Sequence, residues 1–137
     1  MRAVHAASRR GRVLALALLV CSGTACADWA PVGGTSKTED YIDLATVQVT
    51  GNLRRVWTLH NLLQPDSDGD RSYRSLLEYD CKNAIYRSLQ GLFHSQPMAA
   101  GRMTGRTDAA SPWRAVEAGS MSAAVMRLVC ARTSTVP

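Results

Sequence analysis

Apolar residues fall in short runs separated by polar turns, a pattern that predicts strands over most of the chain. Trp29-Ala30-Pro31-Val32 reads as a short strand, and Pro31 assigns it to a sheet edge because proline offers no ladder donor. Gly33-Gly34 and Ser36-Lys37 supply the turn after it. Glu39 to Leu44 predicts a second short strand, with Asp43 placed to cap a single helical turn over Leu44 to Val47. Gly51-Asn52 is a strong turn signal. Leu53 to Leu63 follows as the longest strand candidate, central in the sheet, with Trp57 and Leu59 expected inward.

After a polar loop whose tip is Asp68-Gly69, Tyr73 to Cys81 returns with Tyr73, Ser75, Leu77, Tyr79 and Cys81 on one face. A tight turn at Asp80 to Asn83 leads into another strand, Ala84 to Phe93. Three successive strands on short polar turns form a meander, and antiparallel pairing is natural for it. Ser95 to Pro112 is long and rich in small residues, with an edge strand expected near Arg102 to Thr104. Trp113 to Val116 predicts a last short strand. Ser120 then caps a helix over Met121 to Ala131 that aligns Met121, Val125, Leu128 and Val129 on one side, with Cys130 close by. The fold class is α+β: an antiparallel sheet of about five to six strands covered by a C-terminal helix.

The first 27 residues follow a different logic. Arg2, Arg9, Arg10 and Arg12 precede an unbroken apolar run, Val13 to Val20, and Ala25-Cys26-Ala27 offers the small residues of a cleavage site. This is the pattern of a secretory signal peptide over 1–27, leaving one domain over 28–137. Lipid attachment at Cys26 is the disfavoured route, because Gly23 stands where such signals carry a Leu-like residue.

Removing that segment changes the charge. The chain carries sixteen Lys and Arg against eleven Asp and Glu, a net of +5. Four of the arginines lie in 1–27, which holds no acid, so twelve against eleven leave the domain at +1. A near-neutral domain without a basic stripe is a poor nucleic-acid binder, since phosphate neutralisation supplies most of that affinity. Four cysteines likewise become two, Cys81 and Cys130. In an oxidising compartment a disulfide is the favoured reading. A nucleophilic thiol partnered by His60 or His94 is the competing one.

Other chemistry is sparse. Asp66-Ser67-Asp68-Gly69-Asp70 resembles a calcium loop, but its Gly is fourth and Leu77 occupies the twelfth position, so a solvated loop tip is the better account. His60 and His94 lack a second ligand at metal spacing, and no nucleophile elbow or phosphate-cradling loop is present. No enzyme, cofactor or metal is therefore expected. Trp29, Trp57 and Trp113 are expected to pack between sheet and helix, where aromatic burial contributes most.

Taken together, Trp29, Tyr41-Ile42-Asp43, Val56-Trp57-Thr58-Leu59, Asp80-Cys81, Ser111-Pro112-Trp113, Glu117-Ala118-Gly119-Ser120 and Val129-Cys130 give the chain a family likeness. It resembles the surface-adhesin E family, small exported proteins of Gram-negative bacteria, over essentially all of 28–132. The resemblance implies a structural Cys81–Cys130 pair. It also implies an outer-membrane adhesin that recruits host matrix and serum proteins such as laminin and vitronectin, and that can form a homodimer. The expectation is an exported, non-enzymatic, adhesin-like binding module, periplasmic or at the cell surface, using a sheet face or the 95–112 loop. Its partners would be extracellular-matrix or serum proteins, or envelope components. The alternative is a periplasmic structural or stress-related protein with no adhesive role.

Overall fold

The computed structural model describes residues 27–133. The expected signal segment lies outside the described residues, Ala27 excepted. Strands β1 (Trp29–Gly34), β2 (Thr38–Thr50), β3 (Leu53–Leu62), β4 (Ser72–Asp80), β5 (Ile85–His94) and β6 (Met103–Thr107) pair in chain order, each antiparallel to the next. A two-residue strand, β7 (Arg114–Ala115), pairs with the start of β5 at Ile85 and Tyr86. Helix α1 (Met121–Cys130) follows. The architecture is the predicted α+β meander, covered on one face by a C-terminal helix.

Local chemistry explains the boundaries. Gly51 has φ +56°, the left-handed value that the tight Gly51-Asn52 turn between Thr50 and Leu53 requires. The helical turn predicted over Leu44 to Val47 is instead a bulge within β2, where the register slips between Asp43 and Gln48. Asp43 still accepts as a cap would: Oδ1 takes the Ala45 amide at 3.1 Å, and its carbonyl takes the Thr46 hydroxyl at 2.7 Å. Thr46 Oγ1 in turn accepts the Trp57 amide at 3.1 Å, so a side chain replaces the missing ladder partner.

The core lies between sheet and helix. Ile42, Val56, Leu77 and Tyr79 from the sheet meet Val125 and Val129 from α1, with Ala30, Val32, Leu44, Val47 and Tyr86 packed around them. Ser120 caps the helix, its Oγ accepting the Ala123 amide at 3.1 Å. Leu128, predicted on the buried side, is 41% exposed. At about 100° per residue the buried stripe centres between Val125 and Val129, which leaves Leu128 on its flank. Two long-range ties hold the helix end. Cys81, just past β4, is bonded to Cys130 with 5.7 Å between their Cα atoms. Arg54 of β3 donates from Nε to the Arg132 carbonyl at 3.0 Å.

Candidate functional site

Side chains alternate across a strand, so the core assigns the faces. Val56 packs with Ile42 and Leu77 against α1, and Arg55, Trp57, Leu59 and Asn61 of β3 therefore project from the opposite, open face. The register places Trp57 beside Asp43 of β2 and Leu76 of β4, and Asp43 opposite Trp29 of β1. Trp29 and Trp57 thus share the open face. Trp113 joins them, stacked on Arg87 with 4.4 Å from guanidinium carbon to ring centroid. This corrects the expected placement of the three tryptophans between sheet and helix. The helix turns small side chains, Ser122, Val125 and Val129, towards the sheet, and the core that the two valines form with Ile42, Val56, Leu77 and Tyr79 holds no indole. Leu59, expected inward with Trp57, is fully buried but on the open face, and Trp57 is half-buried.

Arginines alternate with these rings. Glu78 on β4 is out of water's reach, but beneath a thin cover of guanidinium rather than deep in the core. Arg55 Nε donates to its Oε2 at 2.7 Å, while Arg87 Nε and Nη2 donate to Oε1 at 2.9 and 2.6 Å. Burial pushes the Glu78 carboxyl up, but the hydrogen bonds from Arg55 and Arg87 outweigh it and hold the group below its ordinary range. Glu78→Gln is expected to lower stability by about 1–2 kcal/mol in urea unfolding. The loss stays moderate because the guanidiniums, 49% and 30% exposed, can turn to water. An unchanged midpoint would show that the two pairs contribute nothing net.

Beside this cluster the face hollows into an open cleft of about 410 Å³, lined by Ala27, Trp29, Asp43, Ala45, Thr46, Trp57 and Arg74. The Arg74 guanidinium carbon lies 5.2 Å from the Trp57 ring centroid. At the other end, the start of the 95–112 segment is pinned to the sheet. Ser72 Oγ donates to the Gln96 carbonyl at 2.6 Å and accepts the Ala99 amide at 3.0 Å, and Asn61 Oδ1 accepts the Met98 amide at 2.7 Å.

The residues singled out from sequence are dispersed. Cys81 and Cys130 are joined to each other, so neither serves as a thiol for His60 or His94. His60 lies on the helix-side face with Nδ1 2.7 Å from Asp40 Oδ1 and its ring stacked on Tyr73. In the Asp66–Asp70 loop, Asp66 Oδ1 accepts the amides of Asp68 and Asp70 at 3.0 and 2.9 Å, while buried Asp70 accepts from the Thr104 hydroxyl. Among the described residues no group of three or more His, Cys, Asp or Glu is arranged to hold a metal ion. No helix among them is long and apolar enough to cross a membrane.

His94 is buried, and both ring nitrogens lack a hydrogen-bond partner among the described residues. Burial, then the Arg74 charge, lower its pKa, partly offset by Asp70. An unfolded histidine takes its proton near pH ~6.5, and the folded one resists. The neutral ring's contribution is therefore present above pH ~6.5 and lost as pH falls towards the depressed folded value. The melting temperature is expected to drop between pH 7 and pH 5, roughly the histidine window, and to drop less in His94→Gln. Equal drops in both proteins would remove His94 as the cause.

Neither the open-face cluster nor the cleft was visible as a site in the sequence. Trp57 alternates with Val56, but only the inter-strand register shows that Trp29, Asp43 and Arg74 gather around it. Among solved structures the chain is similar to crystal form II of Haemophilus influenzae protein E, with 15% identity, a TM-score of 0.56, and coverage of 74% of this chain and 92% of that one. A second Haemophilus influenzae protein E structure aligns at 14% identity and TM-score 0.55, over 74% of this chain and 83% of that one. Protein E from non-typeable Haemophilus influenzae aligns at 14% identity and TM-score 0.51, over 90% and 86%. At these identities the likeness is one of fold. A search of curated proteins by sequence finds no match. The family model for surface-adhesin protein E matches residues 29–131, which is most of the chain, and that family is one of adhesins rather than enzymes. The chain belongs to the surface-adhesin protein E family.

Proposed function

We propose that the chain is exported with residues 1–27 removed as a signal peptide. The remaining domain then works as a non-enzymatic, adhesin-like module that meets its partner with the open face of the sheet. The observation that carries this reading is the placement of all three tryptophans on that face, interleaved with Arg55, Arg74 and Arg87. Trp and Arg are the residues in which interface binding energy concentrates. Host matrix or serum proteins are the proposed partners, in line with family membership.

The test is retention of the exported domain on immobilised laminin and vitronectin, compared with Trp113→Ala. Trp113 is 38% exposed and lies outside the core, so its removal should spare the fold. Binding at least tenfold weaker in the variant, about 1.4 kcal/mol, is the expected result. No retention of the parent above a scrambled control would sink the reading.

The poor lipid-attachment pattern around Gly23 and Cys26 favours a second reading, a periplasmic protein that never reaches the surface. Protease treatment of intact cells separates the two, since a displayed chain is digested and a periplasmic one protected. Light scattering of the purified domain tests the homodimer that the resemblance implies.

A further inference from the structure

We propose that the cleft between Trp29 and Trp57 is a binding site for a pyranose ring of a glycan. The proposal rests on the open face being the contact surface, and it names the partner's chemistry there. Asp43 lines the cleft although it is only 4% exposed. One of its oxygens accepts the Ala45 amide, and the other takes no hydrogen bond among the described residues. Arg74, also in the lining, holds its guanidinium against Trp57. It makes no ion pair among the described residues, and its Nε is buried without an acceptor. The cleft therefore presents a carboxylate oxygen without a donor, a guanidinium without an acceptor, and two indoles, Trp57 partly covered by that guanidinium and Trp29 beside it.

This set rejects most ligands. A second cation meets Arg74, and an anion meets Asp43. A wholly apolar group would bury both charges without a partner, which is costly. A pyranose has what remains: an apolar C–H face to lie on indole, and rim hydroxyls that each donate and accept. Hydroxyls can donate to the free Asp43 oxygen and accept from the free Arg74 donors. A volume of about 410 Å³ suits one ring or the end of a short oligosaccharide, and the open mouth lets the rest of the glycan extend away. Cleavage after Ala27 would remove one lining residue and put the new α-amino group on Asp28, next to Trp29, while Trp29, Asp43, Trp57 and Arg74 stay in place.

The three indole N–H signals of the exported domain give the test without any mutation. Glucose, galactose, mannose and N-acetylglucosamine would each be titrated to tens of millimolar, with glycine and lysine as zwitterionic probes. The expected result is a saturable shift of the Trp29 and Trp57 signals by at least one sugar, with Trp113 unmoved. Asp43→Asn keeps an oxygen for the Ala45 amide and should weaken that sugar about tenfold or more. Immobilised mammalian glycans and peptidoglycan-derived disaccharides then separate a host source from an envelope source, and binding to either supports the site. Indole signals that no sugar moves in a folded domain would overturn the proposal, as would shifts caused only by the amino acids. If laminin or vitronectin is retained while the sugars stay silent, the glycan site falls and the open-face reading stands. If sugars and matrix proteins all fail, both fall.

Discussion

Replacing Cys81 and Cys130 by serine is expected to lower the unfolding free energy by about 4 kcal/mol, the value that chain entropy assigns to a loop of this length. The bond spans a sequence separation of 49 residues and is the covalent tie between the sheet and α1. A ten-residue helix has little stability of its own, so undocking it also melts it. Ile42, Val56, Leu77 and Tyr79 would then face water together. Each kcal/mol moves the melting temperature of a domain this size by about 4–8 °C, so a fall of roughly 15–30 °C is the calorimetric counterpart. Urea unfolding of the parent with and without reductant measures the same quantity. A difference below about 1 kcal/mol would mean that burial of Val125 and Val129 holds the helix unaided.

Ile42→Ala is expected to cost about 3 kcal/mol, within the range for truncating a buried aliphatic side chain. Ile42 has no exposed surface and lies in the cluster with Val56, Leu77, Val125 and Val129. Ladders to β1 and β3 hold its backbone on both sides, at Ala30 and Thr58, so the site cannot collapse to fill the void. The measurement is the urea midpoint at constant slope, which separates lost packing from a changed unfolded state. A loss under about 1 kcal/mol would show that α1 slides to refill the gap.

Much of the fold could be read from the chain because its turns are written in local chemistry. Gly51-Asn52, the Asp80 to Asn83 turn and the Ser120 cap each act within a few residues, and the elements they bound stand where expected. The bulge in β2 escaped because an aspartate that accepts the amide two residues on looks the same in sequence whether a helix or a strand follows. The faces escaped for a different reason. Both sides of β3 carry large apolar residues, Val56 on one and Trp57 and Leu59 on the other, so alternation alone does not say which side the helix covers. That depends on the register across the long loop between Leu62 and Ser72, and on how close small helix residues allow α1 to come. The cleft inherits this dependence, since Trp29, Asp43, Trp57 and Arg74 come from four strands.

The meander also constrains how the protein comes together. Strands β1 to β6 each pair with a chain neighbour, so each of these five ladders closes a short loop and can form early. Helix α1 differs: it is made after the whole sheet yet packs on β1, β2 and β3, which are made first. Until its final turn exists, the apolar side of a finished sheet has no cover and Cys81 has no partner. The aggregation-prone species is thus a chain that already holds the whole sheet rather than a short fragment. A domain stopped after Gly119 should scatter light on refolding at concentrations where the intact domain stays clear. If it remained monomeric, the sheet would have to protect that face without the helix.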